Sequence, residues 1–460
     1  MATAEFYSLS DQEFRRLRET CQYGVLQRHL TAELEQTVDP FRLRIMAQYF
    51  FKIGRVSEAI AVLERLDTPE ATDHFQKAIY LEHLGDFESA IRECRTALER
   101  APDQLEVRIV LGRLTRVTGM VGEALDWLQP IVKRRLGSPR LIVRALYELS
   151  LCYDQRNDFE LAFQSARTAK SLQHRNPRHV ELAVQGKRWV DQMAALQRVM
   201  FDRLADCRTK SETQERLVHL IGFPRSGTTL VESRLATQSS VVAVSESQAF
   251  ERLCLPQIVT SAKAGTPTCE TESYFQALRE ISACQAEHPS WMDKRPVHVY
   301  MPLLLNAAFP DAGYCFVKRD PRDIFFSAFK RYFPLTDMSC NFDSVSNFSY
   351  LYGNAVAIWN QAFPVLQNRV YVADYEQVCQ QPEQTIDQLL IDLDLARHKA
   401  DCQPRYSHSP THAEIRKAVT ADSCGIWRNY YPFLSAEEQD QLDGLVENDF
   451  TLTTALRSCE

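Results

Sequence analysis

From about residue 10 to residue 200 the apolar positions recur at three- and four-residue intervals between short polar turns. Few runs alternate, so the pattern predicts a succession of amphipathic helices. Within it one unit returns: a small turn residue, four residues, then an alanine on the next helix. The copies are Gly54-R-V-S-E-Ala59, Gly85-D-F-E-S-Ala90, Gly119-M-V-G-E-Ala124 and Asn157-D-F-E-L-Ala162, at periods of 31, 34 and 38 residues. Gly or Asn suits a left-handed helix C-cap, and Ala lets the following helix pack closely on its partner. Apolar residues before the turns (Met46, Tyr49 and Phe50; Ile79, Tyr80 and Leu84; Tyr147, Leu149 and Tyr153) keep helical spacing, and Pro102 and Pro177 close two of the units.

Near residue 216 the pattern changes. Leu217–Ile221 reads as a short buried strand, followed by Gly222-F-P-R-S-Gly227-T-T and a helix from Thr228 to Thr237. Strand, glycine loop, helix is the setting of a phosphate-binding loop. The spacing is that of a Walker A loop, yet Thr228 stands where an ATP-binding lysine belongs, and no acidic strand end stands out for Mg²⁺. Backbone N–H groups of Arg225–Thr229, at the positive end of a helix, can still cradle an anion. A second strand-to-helix passage is Tyr314-C-F-V-K-R-D-P-R-D-I-F-F-S-A-Phe329, in which Asp320 can N-cap the helix and Pro321 fits its first turn. Between the two lie Asp293-K-R-P and Phe309-P-D-A. Farther along the chain come Trp359, a strand at Val370–Glu376, Ser409-P-T-H-A-E-I-Arg416 and Cys424-G-I-W-R-N-Tyr430.

The P-R-S-G-T-T string resembles the 5′-phosphosulfate loop of sulfotransferases that use 3′-phosphoadenosine 5′-phosphosulfate (PAPS). Tyr314–Phe329 resembles their 3′-phosphate motif, with Arg319 and Ser327 as the phosphate-holding pair. Taken in order over residues 216–435, the motifs resemble those of bacterial sulfotransferases that carry tetratricopeptide repeats and, more distantly, tyrosylprotein sulfotransferases. Residues 40–178 resemble the repeats themselves, with looser helices at 10–38 and 180–206 as caps. The resemblance implies an all-α repeat domain over 1–208 and an α/β, P-loop-type sulfotransferase domain with a parallel sheet over 209–460.

It also implies roles. Arg225, Ser226, Gly227, Thr228 and Thr229 would hold the phosphosulfate of PAPS, Arg225 also as a catalytic cation. Glu246 lies 21 residues beyond Arg225, the spacing of the general base in the tyrosylprotein enzymes, and Lys294 matches the lysine that contacts the bridging oxygen of PAPS. Arg331, Tyr375, Thr411, Trp427 and Arg428 are further nucleotide contacts. Ile426 departs from the basic residue usual before this Trp, for which Arg428 or Arg416 would compensate. Arg295 replaces a commoner Met and adds a cation toward the acceptor. His298, a rival base, is expected to be a satisfied or exposed histidine, and His219 a buried structural one. No metal is expected, and the product would be 3′-phosphoadenosine 5′-phosphate (PAP).

Net charge changes the picture only locally. The chain carries 53 Lys+Arg against 60 Asp+Glu, a net −7, which argues against nonspecific nucleic-acid binding or adhesion to an acidic membrane. An anionic ligand must therefore be met by individual Arg and Lys residues beside the loops. Thirteen cysteines without a C-x-x-C pair read as scattered thiols of a reducing compartment, and no apolar stretch reaches the length of a membrane span. The expectation is a cytoplasmic PAPS sulfotransferase acting on a peptide or protein tyrosine held by the repeats, a homodimer being open. Carbohydrate or small-molecule acceptors, a non-catalytic repeat scaffold and an ATP phosphotransferase are the rivals.

Overall fold

The computed structural model describes residues 9–204, 215–265, 267–282, 284, 286, 289–366, 369–397 and 423–452. The expected domain boundary at 208–209 and Thr411 and Arg416 lie outside them.

The first part is a run of helices: α1 (Asp11–Glu19), α2 (Tyr23–Gln36), α3 (Pro40–Lys52), α4 (Val56–Leu63), α5 (Ala71–Leu84), α6 (Phe87–Arg100), α7 (Leu105–Val117), α8 (Val121–Lys133), α9 (Pro139–Gln155), α10 (Phe159–His174) and α11 (Pro177–Leu204). The repeat unit explains their pairing. Gly54, Gly85, Gly119 and Asn157 all adopt left-handed backbone, with φ of 83, 78, 90 and 61°. Each reverses the chain between two helices that pack on each other, α3 on α4, α5 on α6, α7 on α8 and α9 on α10. Ala59, Ala90, Ala124 and Ala162 are fully buried at the contact.

The helical array is joined to the second part of the chain by a continuous packed seam. On α10, Phe163 stacks on Phe329 and Phe433, with ring centroids 5.5 and 5.6 Å apart. Val190, Met193 and Met200 of α11 share one apolar core with Ile221, Trp291, Tyr300 and Leu303. Polar contacts reinforce the seam: Lys330 Nζ lies 2.7 Å from Asp154 Oδ1, and Asp343 Oδ2 takes both His174 Nε2 (2.8 Å) and His179 Nε2 (3.0 Å). Helix α11, expected as a cap, is thus a shared wall between the repeats and the second part.

The second part is built on five parallel strands, β1 (Arg216–Gly222), β2 (Val242–Ser245), β3 (Ser290–Lys294), β4 (Gly313–Lys318) and β5 (Val370–Asp374), in the order β2-β3-β1-β4-β5. Burial of nearly every residue of β1, β3 and β4 is what a sheet covered on both faces requires. Helices α12 (Thr228–Gln238), α13 (Leu255–Ala264), α14 (Glu272–Ser282), α15 (Pro302–Ala308), α16 (Pro321–Phe329), α17 (Val345–Leu366), α18 (Tyr375–Gln380), α19 (Pro382–Asp392) and α20 (Ala436–Glu447) complete it. The chain leaves β1 toward β2 and β3 on one side and later continues through β4 and β5 on the other. The crevice at the carboxyl ends of β1 and β4 is therefore where such a sheet binds ligands.

Candidate active site

The loop after β1 carries two residues in left-handed backbone, Arg225 (φ 78°) and Gly227 (φ 107°). For Arg this conformation is costly and marks a position fixed by its surroundings. Gly227 is required twice over, because a Cβ there would lie 2.2 Å from Tyr375 Cδ2. Ser226 and Thr228 are buried, and Ser226 N–H donates to Phe223 O at 2.9 Å. The turn leads into the start of α12, and a helix N-terminus is a setting that favours an anion.

The distant arginine and serine meet this loop. Arg225 Nε donates to Ser327 Oγ at 3.3 Å on α16. Arg319, just past β4, donates to Arg225 O (3.1 Å) and Ser423 O (2.6 Å). Its guanidinium sits 4.2 Å from the centroid of the Tyr375 ring. Burial pushes the Tyr375 hydroxyl up to about 12, so it stays neutral beneath the cation. Asp320 caps α16 as expected, accepting from Arg322 N.

On the other side of the loop, Lys294 ends β3 with its side chain wholly buried. Its Nζ donates to Thr229 Oγ1 (3.3 Å) and Glu246 Oε1 (3.4 Å) and pairs with Glu232 Oε2 (3.4 Å). Glu246 follows β2 with φ 55°. Its N–H donates to Lys294 O at 2.7 Å, and its side chain is 30% exposed where that of Lys294 is 0%. Arg295 NH1 donates to Glu246 O (3.1 Å), and its Nε pairs with Glu251. A carboxylate facing solvent thus lies beside a buried ammonium and the anion loop.

Several sequence expectations need correction or extension. Acidic residues do end two strands, Asp293 near the end of β3 and Asp374 on β5. The first accepts from Tyr274 OH at 2.8 Å, and the second caps α18 through Gln377 N at 3.0 Å. The Val370–Glu376 strand stops at Asp374, and Tyr375 opens a helix. His298 is fully buried with neither ring nitrogen hydrogen-bonded, so it is not satisfied in the way expected.

Trp427 and Arg428 are brought to α16 and not onto the loop. Trp427 is sandwiched by Arg322 (3.7 Å) and Arg428 (4.8 Å), while Asp323 accepts from Gly425 N (2.6 Å) and Trp427 N (2.9 Å). Arg331 lies one turn beyond Ser327, its N–H on Ala328 O. Sequence reasoning missed Glu232 and Asp323. Glu232 was within reach, because it follows Thr228 by four residues and Thr229 by three on one helix face.

Residues 218–399 match the sequence model of the sulfotransferase family, and residues 74–104 match that of a tetratricopeptide repeat. These segments are a sulfotransferase-family domain and a tetratricopeptide repeat. An uncharacterized protein of Aquifex aeolicus (strain VF5) is 24% identical over 247 residues, 49% of this chain and 32% of that protein. The chain thus spans about a third of the length of this relative. Among solved structures, the sulfotransferase domain from the curacin biosynthetic pathway is 17% identical, covering 53% of this chain and 100% of its own, with a TM-score of 0.33. A sulfotransferase from Alicyclobacillus acidocaldarius is 15% identical over 52% of this chain and 98% of its own, with a TM-score of 0.31. YrrB, a TPR protein with an unusual peptide-binding site, is 16% identical over 35% of this chain and 83% of its own, at 0.28. Among the described residues no helix is long and apolar enough to cross a membrane.

Proposed function

We propose that the chain is a cytoplasmic PAPS-dependent sulfotransferase that moves the sulfuryl group to an acceptor hydroxyl by in-line displacement. The observation that supports this reading most directly is the convergence on one loop of groups from β1, β3, β4 and α16. Arg225 touches Ser327, Arg319 touches Arg225 O, and Lys294 touches Thr229. Such a cradle suits a donor with phosphates at both ends of an adenosine, the loop taking the 5′ side and Arg319 with Ser327 the 3′ side.

Transfer of a sulfuryl group, like that of a phosphoryl group, is mostly a matter of positioning and electrostatics. In this reading the loop N–H groups and Arg225 orient the phosphosulfate, and Lys294 neutralises charge on the departing phosphate oxygen. Glu246 takes the proton of the attacking hydroxyl. Lys294 and Glu246 lie 3.4 Å apart, the ammonium buried and the carboxylate on the solvent side from which an acceptor would enter. The Glu246 spacing and the repeats favour a tyrosine of a peptide or protein as acceptor.

The test is sulfur-labelled PAPS turnover on tyrosine peptides, with PAP binding by calorimetry. Glu246→Ala should keep PAP binding and lose turnover, and Arg225→Ala should lose binding. Full activity in both, or no PAP binding by the unaltered chain, would overturn the assignment. Label appearing only on carbohydrate or small-molecule hydroxyls would overturn the tyrosine acceptor alone.

A further inference from the structure

On one buried face of the sheet lies a set of polar groups that the proposed reaction does not use. His219 of β1 is the register partner of Asp293 of β3, and adjacent residues in register on parallel strands send their side chains to the same face. His298, in the turn of 3₁₀-helix Pro296–Tyr300, comes up against them. One ligand atom from each of the three lies within 4.8 Å of the others, and all three residues are buried. Their exposures are 0, 1 and 0%.

Six buried atoms here have no hydrogen-bond partner: both ring nitrogens of His219, both of His298, Asp293 Oδ1 and Glu251 Oε2. Glu251 Oε2 lies 3.6 Å from His298 Nε2. The surrounding wall is aromatic: Phe250 packs on His298, Phe309 and Tyr314 pack on His219, with centroids 5.4–5.6 Å apart. Buried polar atoms are nearly always satisfied, so a cluster of orphans calls for something between them. Two imidazoles and a carboxylate converging in an apolar shell are ligands for a borderline-soft divalent ion.

We propose that His219, Asp293 and His298 bind a structural divalent transition-metal ion, zinc in the first instance, with Glu251 beside His298 as an outer partner. Zinc holds nitrogen and oxygen ligands at about 2.0–2.2 Å, which sets ligand atoms roughly 3.4 Å apart in a tetrahedron. The three ligand atoms, within 4.8 Å of one another, need to close in by up to about 1.4 Å to fill three positions of such a shell. An outer partner is already in place, since Tyr274 OH donates to Asp293 Oδ2 at 2.8 Å and so aims the other oxygen into the cluster. The ion would tie β1 and β3 together directly beneath the turn that carries Lys294 and Arg295. Through Glu251 it would also reach the arginine that donates to Glu246 O. It is a fastening of the site and takes no part in group transfer, so it stands or falls independently of the proposed reaction.

The test uses the full chain, reconstituted with Zn²⁺, passed through gel filtration and analysed for metal. About one zinc per chain should remain, a strong chelator should lower the melting temperature, and added zinc should restore it. His219→Ala and His298→Ala should each lose most of the retained metal. Should those variants not fold, crystals of the unaltered chain decide: a zinc-edge anomalous peak must fall between the His219 and His298 rings. Zinc absent after reconstitution, a peak elsewhere, or full retention in folded variants would overturn the proposal.

Discussion

Replacing Lys294 by Met removes one charge from the middle of the site and keeps the length of an apolar stem. The structure sets the expected cost. Nζ lies 3.4 Å from Glu232 Oε2 and 3.4 Å from Glu246 Oε1, and the Lys294 and Glu232 side chains are 0 and 6% exposed. Breaking a buried pair by removing one partner costs about 3–5 kcal/mol, because the other charge is left uncompensated. At an effective dielectric near 20, one such contact is worth about 5 kcal/mol by Coulomb's law, so the lower part of the range is reasonable after desolvation. The change should lower the melting temperature by roughly 6–12 °C for a unit of this size.

Turnover should fall by about 10²–10³ on loss of one charge-stabilising group. A second substitution separates the two effects. Glu232→Gln in the Lys294→Met background removes the stranded carboxylate and keeps a partner for Ser245 Oγ, which donates to Glu232 in the parent. The double variant should regain most of the lost melting temperature and none of the turnover. Scanning calorimetry and labelled PAPS turnover read the two quantities. A single variant that melts within a degree of the parent, or a double variant that recovers turnover, would refute the reasoning.

Three further outcomes rest on single contacts. Arg319→Ala loses charge-assisted bonds to Arg225 O and Ser423 O, so PAP should bind about 10–100-fold more weakly by calorimetry; unchanged affinity would remove Arg319 from the clamp. Gly227→Ala sets a Cβ 2.2 Å from Tyr375 Cδ2 at φ 107°, so it should cost about 2–4 kcal/mol from clash and left-handed strain together, read by urea unfolding. Truncating Tyr375 as well should recover only the clash. At the seam, burial pulls the His179 imidazole down, but the hydrogen bond to Asp343 outweighs it and raises it to about 9. Folded His179 therefore keeps a proton that the unfolded chain releases near pH 6.5. Stability should fall from pH 6.5 to 8, above which Lys170, held down to about 8 by burial, opposes the trend. His179→Gln should flatten that slope, and an unchanged slope would exclude this ion pair as its source.

What could be read from the chain alone divides along the line between local and long-range structure. The four left-handed turn residues and the four buried alanines are set by contacts within one helix pair, so their spacing announces them. The loop at Gly222–Thr229 and the strand-to-helix passage at Arg319 are likewise local. Which side chains complete each other is decided by strand order, and that is not written in any short stretch. Lys294 faces Thr229 because β3 lies beside β1, and Glu246 reaches Lys294 because β2 lies beside β3. His219 and Asp293 become neighbours only in that register, 74 residues apart in sequence. Trp427 likewise meets Arg322 and Asp323 of α16 across about a hundred residues of chain. A segment without strong periodicity takes the anchor that α16 presents to it. The same reasoning explains the Glu246 backbone. Its φ of 55° is held from both sides, by its own N–H on Lys294 O and by Arg295 on its carbonyl. Glu246 is thus placed by β3 and the turn after it, through contacts that lie 48 and 49 residues away in sequence.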